Sequence, residues 1–174
     1  MKNIIAFSGS TRVGSFHTRI LRALQQLSPA DMTLTLFDLS AVPFYNEDLE
    51  GENLPESVRA LRHAVEAADG VILAAPEYNF SYSALTKNTI DWLTRPKGVG
   101  ALRDKKVALI CVTPGPSGGK NVSKALSDLL PFFGNAVVAT VTSPGITDKV
   151  ASDGDVIADP ALRDALAELL EAFG

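Results

Sequence analysis

Cysteine is almost missing from this chain: Cys111 is the single one among 174 residues. An internal disulfide is therefore impossible, as is a zinc site built on several thiolates. Histidine is nearly as scarce. His17 and His63 stand too far apart to suggest a metal site. The acids Asp38, Glu47, Asp48, Glu50 and Glu52 read as a solvated loop, so no metal is expected. Positive charge is not in excess. A net charge of -4 and an isoelectric point near 5.1 do not suit a polyanion, which argues against nucleic acid as a partner. Long apolar runs are also lacking. Met1-Lys2-Asn3 leads directly into Ile4-Ile5-Ala6-Phe7, too short for a signal segment or a membrane span. The expected compartment is the cytoplasm, with no membrane partner.

What is present is an ordinary globular balance, with 46% hydrophobic and 21% charged residues. The length allows one domain with a real core, and no repeat, low-complexity tract or linker divides residues 1–174. Apolar runs and helical periodicity alternate along the chain. Ile4 to Ser8 reads as a buried strand, and residues 16–27 place Ile20, Leu21, Leu24 and Leu27 on one helical face. Met32, Leu34 and Leu36 alternate with threonines, as in an edge strand. A polar loop from Asp38 to Pro55 follows, then a helix through Val58, Leu61 and Val65. Gly70 to Ala75 is a second apolar strand, stopped by Pro76. Leu85, Ile90 and Leu93 predict a helix, Val107 to Val112 a strand, and Val122 to Leu130 a further helix. Ala136 to Val141 is the fifth strand, and Pro160 opens the last helix. Five strands alternating with five helices imply right-handed βαβ crossovers. The fold class is α/β: a doubly wound five-stranded parallel sheet, order 2-1-3-4-5, with helices on both faces.

Ligands of such sheets bind beyond the carboxyl ends of the strands, where strand order reverses. Three unusual turns lie there. Ser8-Gly9-Ser10-Thr11-Arg12-Val13-Gly14-Ser15-Phe16-His17 joins a strand to a helix. Its small residues let amides converge, Ser10, Thr11 and Ser15 offer hydroxyls, and Arg12 adds a positive charge. That set suits a phosphate monoester, although an ordinary capped turn is the alternative. It is neither a Walker loop nor Gly-x-Gly-x-x-Gly. Pro76-Glu77-Tyr78-Asn79-Phe80-Ser81-Tyr82-Ser83 sets aromatics in a polar loop, where a planar ligand could rest or where the rings could pack back onto the core. Thr113-Pro114-Gly115-Pro116-Ser117-Gly118-Gly119 fixes a backbone that a ligand could approach closely, or that is only a tight turn.

These segments resemble the NADPH-dependent FMN reductase family, which includes bacterial quinone and chromate reductases. Ser8–Phe16 is similar to its Gly-Ser-x-Arg-x-x-Ser-Phe loop. Pro76–Ser81 with Leu85–Leu93 is similar to its Pro-Glu-Tyr-Asn and Leu-Lys-Asn-Ala-Ile-Asp-Trp segment. Pro43–Asp48 resembles its Pro-x-Tyr-Asn-x-Asp loop, and the likeness spans roughly residues 3–135. The resemblance implies a flavodoxin-like fold and bound FMN, with NADPH or NADH as co-substrate. It implies transfer of a hydride to the flavin and on to quinones or other small acceptors: flavins, azo compounds or metal oxyanions. Ser10, Thr11, Arg12, Ser15 and Phe16 would hold the phosphate. Pro76, Glu77, Tyr78, Asn79 and Phe80 would line the ring system, largely through backbone groups. Thr113, Pro114, Gly115 and Gly118 would flank the ring and ribityl chain. A homodimer or homotetramer is implied, with Asn88, Asp91 and Trp92 near the interface and the Tyr45–Asp48 loop approaching the partner's flavin.

His17 departs from the family, which often carries Asn there. It is read as a phosphate contact or a surface cap. Residues 141–158 match no pattern; they either set acceptor preference or form a mobile loop. Cys111 reads as a small buried hydrophobe and His63 as solvent-facing. No catalytic side chain is nominated, because the cofactor carries the redox chemistry. The competing readings are a flavodoxin-type electron carrier, a nucleotide-binding or interaction protein without flavin, and a response receiver.

Overall fold

The computed structural model describes residues 1–152 and 154–174. The elements run β1 (Lys2–Ser8), α1 (Phe16–Leu27), β2 (Met32–Phe37), α2 (Glu56–Glu66), β3 (Gly70–Ala74), β4 (Glu77–Tyr78), β5 (Ser81–Tyr82), α3 (Ala84–Leu93), β6 (Lys106–Val112), α4 (Lys120–Leu129), β7 (Ala136–Ser143) and α5 (Pro160–Glu171). The main sheet has the order β2-β1-β3-β6-β7, and every pairing in it is parallel. It is the expected flavodoxin-like 2-1-3-4-5 order, with β6 and β7 as fourth and fifth strands.

Successive residues of a strand face opposite sides, so each apolar run feeds two cores. Ile4, Ala6, Ile72 and Ile110 meet Ile20, Leu21 and Leu24 of α1 and Leu166 and Leu170 of α5. Ile5, Phe7, Val71, Leu73 and Leu109 meet Val58, Leu61 and Val65 of α2, Ile90 and Trp92 of α3, and Val122 and Leu126 of α4. Burying one such aliphatic side chain is worth roughly 2 kcal/mol. These layers pin the strand ends that carry the site.

Three parts differ from the sequence reading. The loop after Pro76 contains a small antiparallel hairpin, β4 with β5. The Asp38–Pro55 loop contains two short 3-10 turns and is fastened to α3: Asn88 accepts from the Tyr45 amide at 2.7 Å and donates to the Pro43 carbonyl at 2.9 Å, and the Trp92 indole donates to the same carbonyl at 2.8 Å. Glu50 belongs to that structure, since it accepts from the Tyr45 hydroxyl at 2.7 Å. Residues 141–158 do not form a free loop among the described residues. β7 reaches Ser143, Val150 bridges Ile157, and Ile146, Val150 and Ile157 enter the core. Local pattern hid them because their partners lie on α1, α5 and the sheet. No helix among the described residues is long and apolar enough to cross a membrane.

Candidate functional site

The first turn leaves β1 through Gly9, whose amide still donates to the Ala74 carbonyl at 2.8 Å. A side chain at Gly9 would force its neighbours to shift. Its Cβ would lie 2.2 Å from Thr86 Oγ1 and 2.8 Å from Pro76 Cδ. The turn is therefore pressed against the start of the Pro76 segment and of α3. Ser83 secures the contact: its hydroxyl donates to the Gly9 carbonyl at 2.6 Å and accepts the Thr86 amide at 3.1 Å, capping α3.

Beyond Gly9 the backbone opens. Ser10 is half-buried, Thr11 and Arg12 are exposed, and Ser15 is buried as the N-cap of α1 without a side-chain cap bond. The amides of Thr11, Val13, Gly14 and Phe16 find no acceptor among the described residues. The first turn of α1 carries no acid. Unmatched amides at a helix N-terminus favour an anion. Arg12 folds over the turn and donates to the Val13 and Gly14 carbonyls at 3.3 and 3.2 Å. Ser10, Thr11, Arg12 and Ser15 border a cleft that continues to Asp38 and Ser40 behind β2.

The second turn is the hairpin. Pro76 is buried, and Tyr78 and Phe80 project outward at 51% and 79% exposure. The alternative in which these aromatics pack back onto the core holds only for the half-buried Tyr82. Asn79 and Phe80 have φ of 52° and 64°, the paired left-handed geometry of a tight hairpin turn. For phenylalanine this conformation is strained. Glu77 turns away from the aromatics. Its carboxylate accepts from the Asn121 amide at 3.1 Å, the Asn121 side chain at 3.0 Å and the Val122 amide at 3.4 Å, capping α4. Partial burial raises its pKa, and these hydrogen bonds more than offset that, leaving it below the ordinary glutamate value.

The third turn begins at Thr113, whose amide donates to the Ser143 carbonyl and whose carbonyl accepts the Ile146 amide, both at 3.1 Å. Its hydroxyl donates to the Gly115 carbonyl at 3.0 Å. Pro114 is exposed, Gly115 is half-buried, and Gly118 is buried against Pro144. Gly119, at φ 81°, starts α4 so close to β6 that a Cβ would meet the Cys111 carbonyl at 2.3 Å.

His17 lies neither on the surface nor in the cleft. It is 5% exposed, beneath the turns, and its Nε2 accepts the Val112 amide at 3.4 Å. Burial pulls its pKa down to about 4; a hydrogen bond to the Ala75 backbone opposes this, and the Arg12 charge adds to it. The surface-cap reading of His17 is corrected, because the ring is buried and engaged by backbone, and the ring does not line the cleft beside Ser10–Ser15. Cys111 is buried as expected, and burial chiefly pushes its thiol up to about 12. His63 is exposed. Asn88 and Trp92 are buried within the single chain, and of the three residues expected near an interface only Asp91 reaches the surface. No cluster of three metal-ligating side chains occurs among the described residues.

The structure thus gathers the three turns along one edge, through Gly9–Pro76 contact, Glu77–α4 capping and the His17 bridge. Ser83, Thr86 and Asn121 escaped the sequence reading as site builders, and Gly9 and Gly119 were read only as turn glycines without their close contacts. Ser83, a favoured N-cap residue ahead of a helical run, was the signal that could have found the α3 cap. A doubly wound sheet with unmatched helix amides and close-packed turns at its carboxyl edge defines a flavodoxin-like mononucleotide-binding protein.

Comparison with known proteins narrows the class. The model of the NADPH-dependent FMN reductase family matches residues 2–147, and the chain belongs to that family. Quinone reductase from Escherichia coli strain K12 is 33% identical over 175 residues, covering 98% of this chain and 93% of that protein. Quinone reductase from Pseudomonas putida is 36% identical over 125 residues, covering 72% and 67% of the two chains. The solved structure of FerB, a flavoenzyme NAD(P)H:(acceptor) oxidoreductase from Paracoccus denitrificans, superposes with a TM-score of 0.84 at 30% identity, covering 99% and 95%. The protein is therefore an NAD(P)H-dependent flavin oxidoreductase with FMN as its cofactor. The residues fit that group: the unmatched amides and Arg12 suit its phosphate, and the exposed hairpin aromatics and bare Gly115 backbone leave room for a flat ring system.

Proposed function

We propose that this protein is an NAD(P)H:quinone oxidoreductase that holds FMN across the three turns, with flavins, azo compounds and metal oxyanions as further acceptors. The observation that carries the reading is the set of unmatched amides at the start of α1, beside Ser10, Arg12 and Ser15, close to two turns packed tightly at their roots. When bound, FMN supplies the redox chemistry, receiving a hydride from the nicotinamide and delivering it to the acceptor.

The chain's own work is placement. The amides of Thr11, Val13, Gly14 and Phe16, with the hydroxyls of Ser10, Thr11 and Ser15, bind the phosphate, and Arg12 swings from its own turn to neutralise it. Pro76, Tyr78, Asn79 and Phe80 form one bank of the ring site; Thr113, Pro114, Gly115 and Gly118 form the other. Glu77 serves by anchoring the hairpin to α4. No side chain at these turns is poised as a general base: His17 is sealed beneath them and the Cys111 thiol stays protonated. Proton delivery to a reduced quinone therefore falls to solvent entering past the exposed hairpin.

The working unit is a homodimer or homotetramer in the cytoplasm. Phe44, 75% exposed between two backbone positions clamped by Asn88, supports packing by a second copy on that loop. Anaerobic mixing of the FMN-loaded protein with NADPH and NADH, followed by a panel of acceptors, tests the activity. Retention of the flavin's visible band with both nicotinamides defeats it. Replacing Arg12 by Ala is expected to weaken FMN by about tenfold, the size of one charge-assisted contact, and to leave riboflavin unaffected.

A further inference from the structure

His17 stands where the roots of the three turns meet. It is the second residue of α1, directly after the phosphate turn. On the sheet side, β3 and β6 pair in parallel through Ala74 and Ile110, and the Ala75 amide still donates to the Ile110 carbonyl at 2.9 Å. One step further, a parallel ladder sends the Val112 amide to the Ala75 carbonyl. Here the Val112 amide donates instead to Nε2 of His17 at 3.4 Å, and the Ala75 backbone beside the ring raises its pKa against the effect of burial. The imidazole is inserted between the two strands at the point where they part. Pro76 then leads one chain into the hairpin, and Thr113-Pro114 leads the other into the third turn.

We propose that His17 is a positioning residue of the FMN site: by taking the Val112 amide in place of the Ala75 carbonyl it sets the gap between the two ring-side turns and ties the third turn to the start of α1. The inference rests on the FMN reading above. His17 touches no cofactor, being 5% exposed with its ring engaged by backbone, so it acts through the Pro76 and Thr113 turns. Accepting at Nε2 requires a neutral ring. A bridge of this kind differs from a phosphate contact in what it serves. A phosphate contact favours FMN and leaves riboflavin indifferent, whereas a spacing bridge supports the ring of either.

The test titrates FMN and riboflavin into the flavin-free wild type, His17→Leu and His17→Asn, following flavin fluorescence. Leu fills similar volume without polar atoms; Asn keeps one donor and one acceptor. His17→Leu is expected to weaken both flavins by about tenfold or more, and His17→Asn to recover binding to within about threefold of wild type. Unchanged binding in His17→Leu, a loss confined to FMN, or no recovery in His17→Asn overturns the bridge. A wild type that binds no FMN overturns the cofactor reading instead. Should His17→Leu fail to fold, amide exchange in the wild type decides. Val112 is expected to be as protected as Ile110 at neutral pH and to lose protection first as pH approaches about 4. Identical behaviour of the two amides throughout refutes the bridge.

Discussion

Acid should destabilise this protein earlier than its carboxylates alone dictate, and His17 is the reason. The ring is buried, and its pKa falls from 6.5 to about 4 on folding. As pH drops below 6.5 the unfolded chain takes up a proton on this histidine, while the folded protein keeps the ring neutral until about pH 4. The unfolded state therefore binds more protons across that window, so stability falls as pH falls. The contribution is complete above pH 6.5 and is lost by the time the folded ring titrates near 4. At 1.36 kcal/mol per unit the whole effect is about 3 kcal/mol. Asp38 and Glu77, both held below their ordinary carboxylate values, lose their own contributions at lower pH still. Urea unfolding of the flavin-free wild type and His17→Asn at about pH 7.5 and about pH 4.5 isolates the histidine, because every other group is common to both. The wild type should lose about 2 kcal/mol more than the variant between the two conditions. Parallel losses would refute the burial argument.

Other sites make separate demands on the reasoning. Gly9→Ala should cost about 2 kcal/mol and weaken FMN, since the new methyl lands on Thr86 and Pro76; a variant with wild-type urea midpoint and FMN affinity contradicts the close approach. Phe80→Gly should leave stability unchanged or raise it by up to about 1 kcal/mol, because relief of the left-handed strain outweighs glycine's added freedom when unfolded, while KM for a quinone rises. A loss beyond about 1 kcal/mol would show that the exposed ring packs on something essential. Asn88→Ala strands the Tyr45 amide, leaves Pro43 held by Trp92 alone, and should cost about 2 kcal/mol. Limited proteolysis should then cut between Pro43 and Asn53; resistance equal to wild type disproves the clamp.

The linear order of residues by itself determined the elements and their alternation. Continuous apolar runs at Ile4–Phe7, Gly70–Ala74 and Val107–Val112 cannot face water on either side, so they are interior parallel strands. Alternating Met32–Leu36 can, and it lies at the edge. The bounds of the helix at 16–27 were legible, and Ile20, Leu21 and Leu24 are buried as the helical period requires, although Leu27 at its end is exposed. The motifs at Ser8–Phe16 and Pro76–Ser81 marked the family as well. Tertiary structure alone decided how those motifs meet. His17 looks like the start of a surface helix until Val112, 95 residues away, takes its ring into the sheet. The Glu77 carboxylate has no visible partner in the sequence until α4 claims it. Ile146, Val150 and Ile157 look like loop residues until α1, α5 and the sheet close over them. Local periodicity records which side of an element is apolar. It carries no record of which distant backbone group a polar side chain will find once two strands diverge, and that choice shapes the flavin site.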